Sequence, residues 1–172
     1  MWLVGLVVSG ESEAQKPMTT SIGLSVLDSS LYISELRPKR RDSALQEMIV
    51  CAHRAGAVRD PVLLRETLSI RERVGSTAIG KGVAVPHARS LAVVEPRLVV
   101  ARSKRGIDWG AADGDPVRLV LLAISPSELS DEVYHEFIAR AVAVGRLQRN
   151  RHKLIEAVSF EAVASVLREV AP

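Results

Sequence analysis

The chain has 172 residues, of which 47% are hydrophobic, 25% charged and 3% aromatic, and its formal net charge is +3. That length suits one domain whose core needs neither disulfides nor a structural metal. So few aromatics argue against stacking platforms for single-stranded nucleic acid, and the basic run RPKRRD at 37–42 reads as solvated surface, so no nucleic-acid partner is expected. The single cysteine, Cys51, excludes an intramolecular disulfide and zinc-ligand spacing; in MIVCAHRAG it reads as a small core residue of a helix.

In chain order, MWLVGLVVSG opens on an apolar run too short to span a bilayer. No basic residue precedes that run, as a signal peptide would require. Residues 1–17 are expected to be a disordered extension or the product of an upstream start, with the domain running over 18–172. No other segment is apolar enough to cross a membrane, so a cytoplasmic chain that is not membrane-embedded is expected.

LYISEL (31–36) is the first candidate strand. From Arg41 to Ala55 the spacing predicts a helix, with Leu45, Met48, Ile49 and Ala52 on one face and Gly56 as its stop. DPVLLRETLSIRERVG (60–75) predicts a second helix, N-capped by Asp60, with Pro61 at its first position and Gly75 closing it. Strand-type runs follow: GVAVPH (82–87), RLVVARS (97–103) and VRLVLLAIS (117–125). The last is the longest and most apolar, as a central strand buried on both faces would be. RGIDWGAADGDP, between the last two, is rich in turn residues. After Pro126, helical patterns run over 131–146, 149–157 and 160–169, with Ser159 capping the last. The order predicts an α/β fold of three layers, α/β/α, with a mixed central sheet flanked by helices.

The segment GSTAIGKGVAVPH, Gly75 to His87, nearly spells the phosphate-binding loop G-x-x-x-x-G-K-[ST]. Gly82 stands where that loop needs a hydroxyl for magnesium. The context is also reversed, since the segment follows a helix and opens a strand. Nucleotide binding therefore stays only as a distant third reading, and neither a cofactor nor a metal is expected.

The same residues fit another pattern. Arg71 and Glu72, then Gly75-Ser76-Thr77, then Gly80-x-Gly82, then VAVPHAR resemble the enzyme IIA domain of the mannitol/fructose type in the bacterial phosphoenolpyruvate-dependent phosphotransferase system. RGIDWGAADGDPVRLVLLAISP is similar to a further segment of that family, and the resemblance covers about residues 20–170. RERVGSTAIGKGVAVPH is close to the nitrogen-related regulatory form.

The resemblance implies a mannitol-type IIA fold and a phosphotransferase that carries its phosphoryl group on His87. The implied donor is the histidine phosphocarrier HPr or its nitrogen-related paralogue. Downstream it implies a sugar permease IIB domain or a regulated kinase or transporter, with nitrogen-type regulation favoured over sugar uptake. A reading from another class is a non-catalytic binding module that docks on a kinase or transporter.

Around His87, the resemblance places Arg71, sixteen residues earlier, near the acceptor, where its guanidinium would stabilise a phosphoryl dianion. Ser76 and Thr77 are candidate hydroxyl donors. Gly80 and Gly82 are expected to bring backbone N–H groups to the phosphoryl oxygens. Pro86 would aim the His87 ring. Mannitol-type relatives carry a second histidine near the acceptor, and His135 in DEVYHEFIARA is its candidate here. Lys81, His53 and His152 read as surface residues.

Overall fold

The computed structural model describes residues 26–170, so the expectation for residues 1–17 lies outside the described residues. Helix α1 (Arg41–Arg54) buries Ala44, Leu45, Met48, Ile49 and Ala52, the face that its spacing predicts. Helix α2 (Pro61–Val74) starts on a proline, which has no N–H to leave unpaired. The Asp60 carboxylate accepts from the N–H groups of Val62 and Leu63, both at 3.0 Å. At the other end Gly75 has a φ of 172°, so α2 leaves in an extended conformation and not through the left-handed cap expected of a glycine.

Six strands form one mixed sheet: β1 (Tyr32–Ile33), β2 (Ala78–Gly80), β3 (Val83–Ala84), β4 (His87–Arg89), β5 (Arg97–Ile107) and β6 (Val117–Ser125). The order is β1-β5-β6-β3-β2, with β4 also against β6. The β5–β6 and β2–β3 pairs are antiparallel; β1 runs parallel to β5, and β3 and β4 run parallel to β6. β6 matches VRLVLLAIS from end to end and is central. The first strand is shorter than LYISEL suggested, and β5 reaches four residues beyond RLVVARS.

Alternation along the strands sorts the core into two slabs. Ala84, Val99, Ala101, Val120 and Leu122 pack under α1 and α2. Val83, Leu98, Val100, Leu119 and Leu121 pack under α3 (Asp131–Arg146), α4 (Gln148–Glu156) and α5 (Phe160–Val170). Each fully buried aliphatic side chain contributes about 1.5–3 kcal/mol. The three-layer α/β/α arrangement follows. Gly145 lets α3 lie close on the sheet, because a Cβ there would stand 2.9 Å from Val83 Cγ1.

Candidate active site around His87

The GVAVPH run becomes two short strands because Pro86 has no N–H to donate to the ladder. The register is unbroken across the gap: Ala84 pairs with Val120 and His87 with Ala123. Beyond the proline, Ala88 and Ser90 are buried while His87 and Arg89 are only half-buried. Successive side chains on a strand alternate faces, so His87 and Arg89 open to the same side.

The two ring nitrogens of His87 have different partners. Nδ1 lies 2.9 Å from the carbonyl oxygen of Val85, and Nε2 lies 3.1 Å from Nε of Arg71. A carbonyl only accepts and a guanidinium only donates, which fixes the tautomer: Nδ1 carries the proton and Nε2 presents its lone pair. Burial pushes the His87 pKa below its ordinary value of 6.5; the Val85 hydrogen bond opposes this, and the positive charge of Arg71 adds to it. The imidazole is therefore neutral at pH 7, as a nucleophile must be.

Arg71 is itself held in place. It lies in the last turn of α2, where a cation complements the helix dipole, and its guanidinium donates to the carbonyl of Gly75 at 3.0 Å. Its neighbour Glu72 is buried and accepts from the Thr77 N–H at 2.9 Å, the Thr77 hydroxyl at 2.7 Å and the Trp109 indole N–H at 3.1 Å. This network ties the end of α2 to the start of β2, and so sets where Arg71 can reach.

The remaining expected residues separate into groups. Thr77 is buried, and its hydroxyl donates to Glu72; that bond takes its hydrogen away from any phosphoryl group. Ser76 is exposed, and its oxygen accepts from the Ala78 N–H at 3.3 Å, which leaves its own hydrogen to donate.

Gly80 and Gly82 have φ values of +85° and +74°, and Lys81 between them has +56°. The three form the hairpin turn from β2 to β3, where the Lys81 N–H donates to Asp113 at 2.8 Å and Gly82 O accepts from Leu119 N at 3.0 Å. Leu119 is four residues before Ala123, the partner of His87, which puts Gly82 about 13 Å along the sheet from His87. This corrects the expectation that the two glycines bring N–H groups to the acceptor: they shape a turn at the other end of the strand. Because that turn joins two strands, the phosphate-loop geometry is absent as well.

Two residues that sequence reasoning missed stand at the site. The Tyr134 ring, in the first turn of α3, lies edge-on to His87 with centroids 6.4 Å apart. The Arg89 guanidinium lies over the Tyr134 ring at 4.8 Å and is held by Leu129 O at 3.0 Å and Asp131 Oδ1 at 2.5 Å. Arg89 was legible as the i+2 neighbour of His87 on a strand. His135 is exposed and stands beside Tyr134, ring centroids 5.8 Å apart. Thus Tyr134 is the ring that faces His87. His53 and His152 are exposed, as expected.

Among the described residues no His/Cys/Asp/Glu group could hold a metal ion, and no helix is long and apolar enough to cross a membrane. The site thus offers a neutral imidazole with a directed lone pair, a guanidinium on that nitrogen, and a second guanidinium stacked on an adjacent phenol. The fold and site together define an α/β/α domain with a half-buried histidine at a sheet edge, its Nε2 held on a guanidinium.

The sequence profile described as "Phosphoenolpyruvate-dependent sugar phosphotransferase system, EIIA 2" matches residues 25–170. The chain belongs to this family, whose EIIA domains are phosphoryl-transfer components of the phosphotransferase system. It is 33% identical over 134 residues to the fructose-specific EIIA component of Haloferax volcanii, covering 77% of this chain and 86% of that one. With a nitrogen regulatory protein of Bradyrhizobium diazoefficiens it shares 32% over 132 residues, covering 77% and 85%. Against the fructose-specific EIIABC component of Bacillus subtilis the identity is 30% over 134 residues; the match covers 78% of this chain but spans 21% of that protein. In fold it is similar to the nitrogen regulatory protein IIA-Ntr of Neisseria meningitidis, with TM-score 0.77, 24% identity, and 84% and 97% of the two chains covered. It is also similar in fold to the mannitol IIA of Escherichia coli solved in complex with phosphorylated IIB, with TM-score 0.70, 17% identity, and 83% and 97% covered.

Proposed function

We propose that this chain carries a phosphoryl group on Nε2 of His87, accepting it from an HPr-type histidine phosphocarrier. The observation that carries the reading is the pair of His87 hydrogen bonds, which leaves the Nε2 lone pair directed at the Arg71 guanidinium. In the transfer the Nε2 lone pair attacks phosphorus as the bond from phosphorus to the donor's ring nitrogen breaks, and that electron pair stays with the donor. Nδ1 keeps its proton on Val85 O throughout. Arg71 gives up Nε2 and moves to the phosphoryl oxygens, whose charge it stabilises. Ser76 can add a hydroxyl donor, and Tyr134 takes the place expected of His135 beside the acceptor.

For the output we favour nitrogen-type regulation, in which His87 is a switch that adds about two negative charges. This choice rests on the likeness of RERVGSTAIGKGVAVPH to the nitrogen-related form, since fructose-type and nitrogen-type relatives align over similar shares of their length. Incubation with phosphoenolpyruvate, enzyme I and HPr is expected to give acid-labile phosphate on the wild type and none on His87→Ala. An unlabelled wild type sinks the carrier reading, and label persisting in the variant sinks the site. Onward transfer to a sugar-specific IIB domain at the rate of the first step would overturn the regulatory output.

A further inference from the structure

At the far end of the sheet from His87 lies a cleft of about 210 Å³, lined by Arg102, Ser103, Lys104, Arg118, Ile155 and Glu156. Arg102 follows Leu98 and Val100 on the face of β5 that packs under α4 and α5, a row otherwise apolar. It is 7% exposed and Ser103 is 3% exposed. One Arg102 guanidinium nitrogen donates to the Tyr32 hydroxyl at 3.1 Å, and that hydroxyl donates to Ala157 O at 3.2 Å. Arg102 Nε and Ser103 Oγ are buried with no hydrogen-bond partner among the described residues. No ion pair among the described residues involves Arg102.

A guanidinium stays charged at any pH a protein meets, and a buried charge without a counter-ion is strongly unfavourable. Two further cations, Lys104 and Arg118, are exposed at the rim, against one exposed carboxylate in the lining, Glu156, and the Glu35 carboxylate beside it, which accepts from the Lys104 N–H at 3.3 Å. The cleft therefore has an excess of positive charge in its lining and a buried guanidinium N–H with unused donor capacity. Those are the groups that bind tetrahedral oxyanions. Its volume lies below the roughly 300–1,000 Å³ of pockets that take drug-sized ligands, which favours a small anion over a nucleotide.

We propose that this cleft is a binding site for a small phosphate-type anion, separate from the phosphoryl-transfer site. Arg102 pairs with Leu119 on β6 and His87 with Ala123, so about 13 Å of sheet divides the two sites along the strand. An anion in the cleft supplies the charge that Arg102 lacks and ties β5 and β6 to the end of α4. Such a site would let the level of free phosphate or of a small phosphomonoester stabilise this carrier without competing for His87.

The test is an amide-resolved NMR titration of the full chain with inorganic phosphate at constant ionic strength, repeated with glycerol phosphate. Saturable shifts are expected at residues 102–104 and 118. Stronger binding of glycerol phosphate would assign the site to a phosphomonoester, and stronger binding of phosphate to the free ion. Lys104→Gln combined with Arg118→Gln keeps the buried residues intact and is expected to weaken binding about tenfold or more. Arg102→Met is expected to melt higher than wild type in phosphate-free buffer and to gain nothing from added phosphate. Shifts confined to the neighbourhood of Arg71 and His87, shifts that never saturate, or unchanged affinity in the double variant would overturn the proposal.

Discussion

Arg71→Met is expected to slow phosphorylation of His87 by about 10²–10³-fold, the usual effect of removing one preorganised donor from developing transition-state charge. Methionine keeps the helix propensity and much of the apolar stem, so the variant should fold. The guanidinium is preorganised by Gly75 O and already stands at the reacting nitrogen, so a short move from Nε2 brings it to the phosphoryl oxygens. The variant also changes the pH profile. Burial first, and the charge of Arg71 with it, hold the His87 pKa below 6.5, so the wild-type rate should stay level as pH falls through 6.5 and decline only at lower pH. Without Arg71 one of the lowering influences is gone, and the decline should begin at higher pH. Single-turnover transfer from phosphorylated HPr, measured across pH 5–8, checks both effects. An unchanged rate would return Arg71 to the role of a helix C-terminal charge.

Glu72→Ala should be the most destabilising single substitution near the site. It removes the acceptor for the Thr77 N–H, the Thr77 hydroxyl and the Trp109 indole, all buried. The Trp109 indole keeps the Thr77 hydroxyl oxygen at 3.3 Å, but the two Thr77 donors are stranded at about 1–3 kcal/mol each, so a loss of about 2–6 kcal/mol and a fall in Tm of about 10 °C are expected. Glu72→Gln keeps one carbonyl acceptor and should lose less. Thermal unfolding of the three proteins measures this; an alanine variant within about 1 kcal/mol of wild type would contradict the network.

Much of this arrangement was legible in the sequence. The helical periods, the Asp60-Pro61 start and the apolar run of β6 state their structure locally, because capping and burial on both faces need particular residues in order. Strand β2 was hidden: its three residues sit among glycines and exist as a strand through pairing with β3. The glycines were misplaced for a related reason. Gly80 and Gly82 lie near His87 in the chain, but an extended strand carries them apart, and proximity in sequence is not proximity in space. Thr77 is held by Glu72, five residues away, and by Trp109, 32 residues away on the turn after β5, and the second of these partners is not announced by the local sequence. Tyr134 was missed by a single position, since the rotation of α3, which faces Tyr134 toward His87, is set by how its buried Phe137 and Ala141 meet the sheet.

The most direct test of the account is ¹⁵N NMR of the histidine rings in the chain phosphorylated by HPr. The hydrogen bonds of His87 predict phosphorus on Nε2, with Nδ1 still protonated. Phosphorus on Nδ1 of His87, or on any other residue, would contradict it.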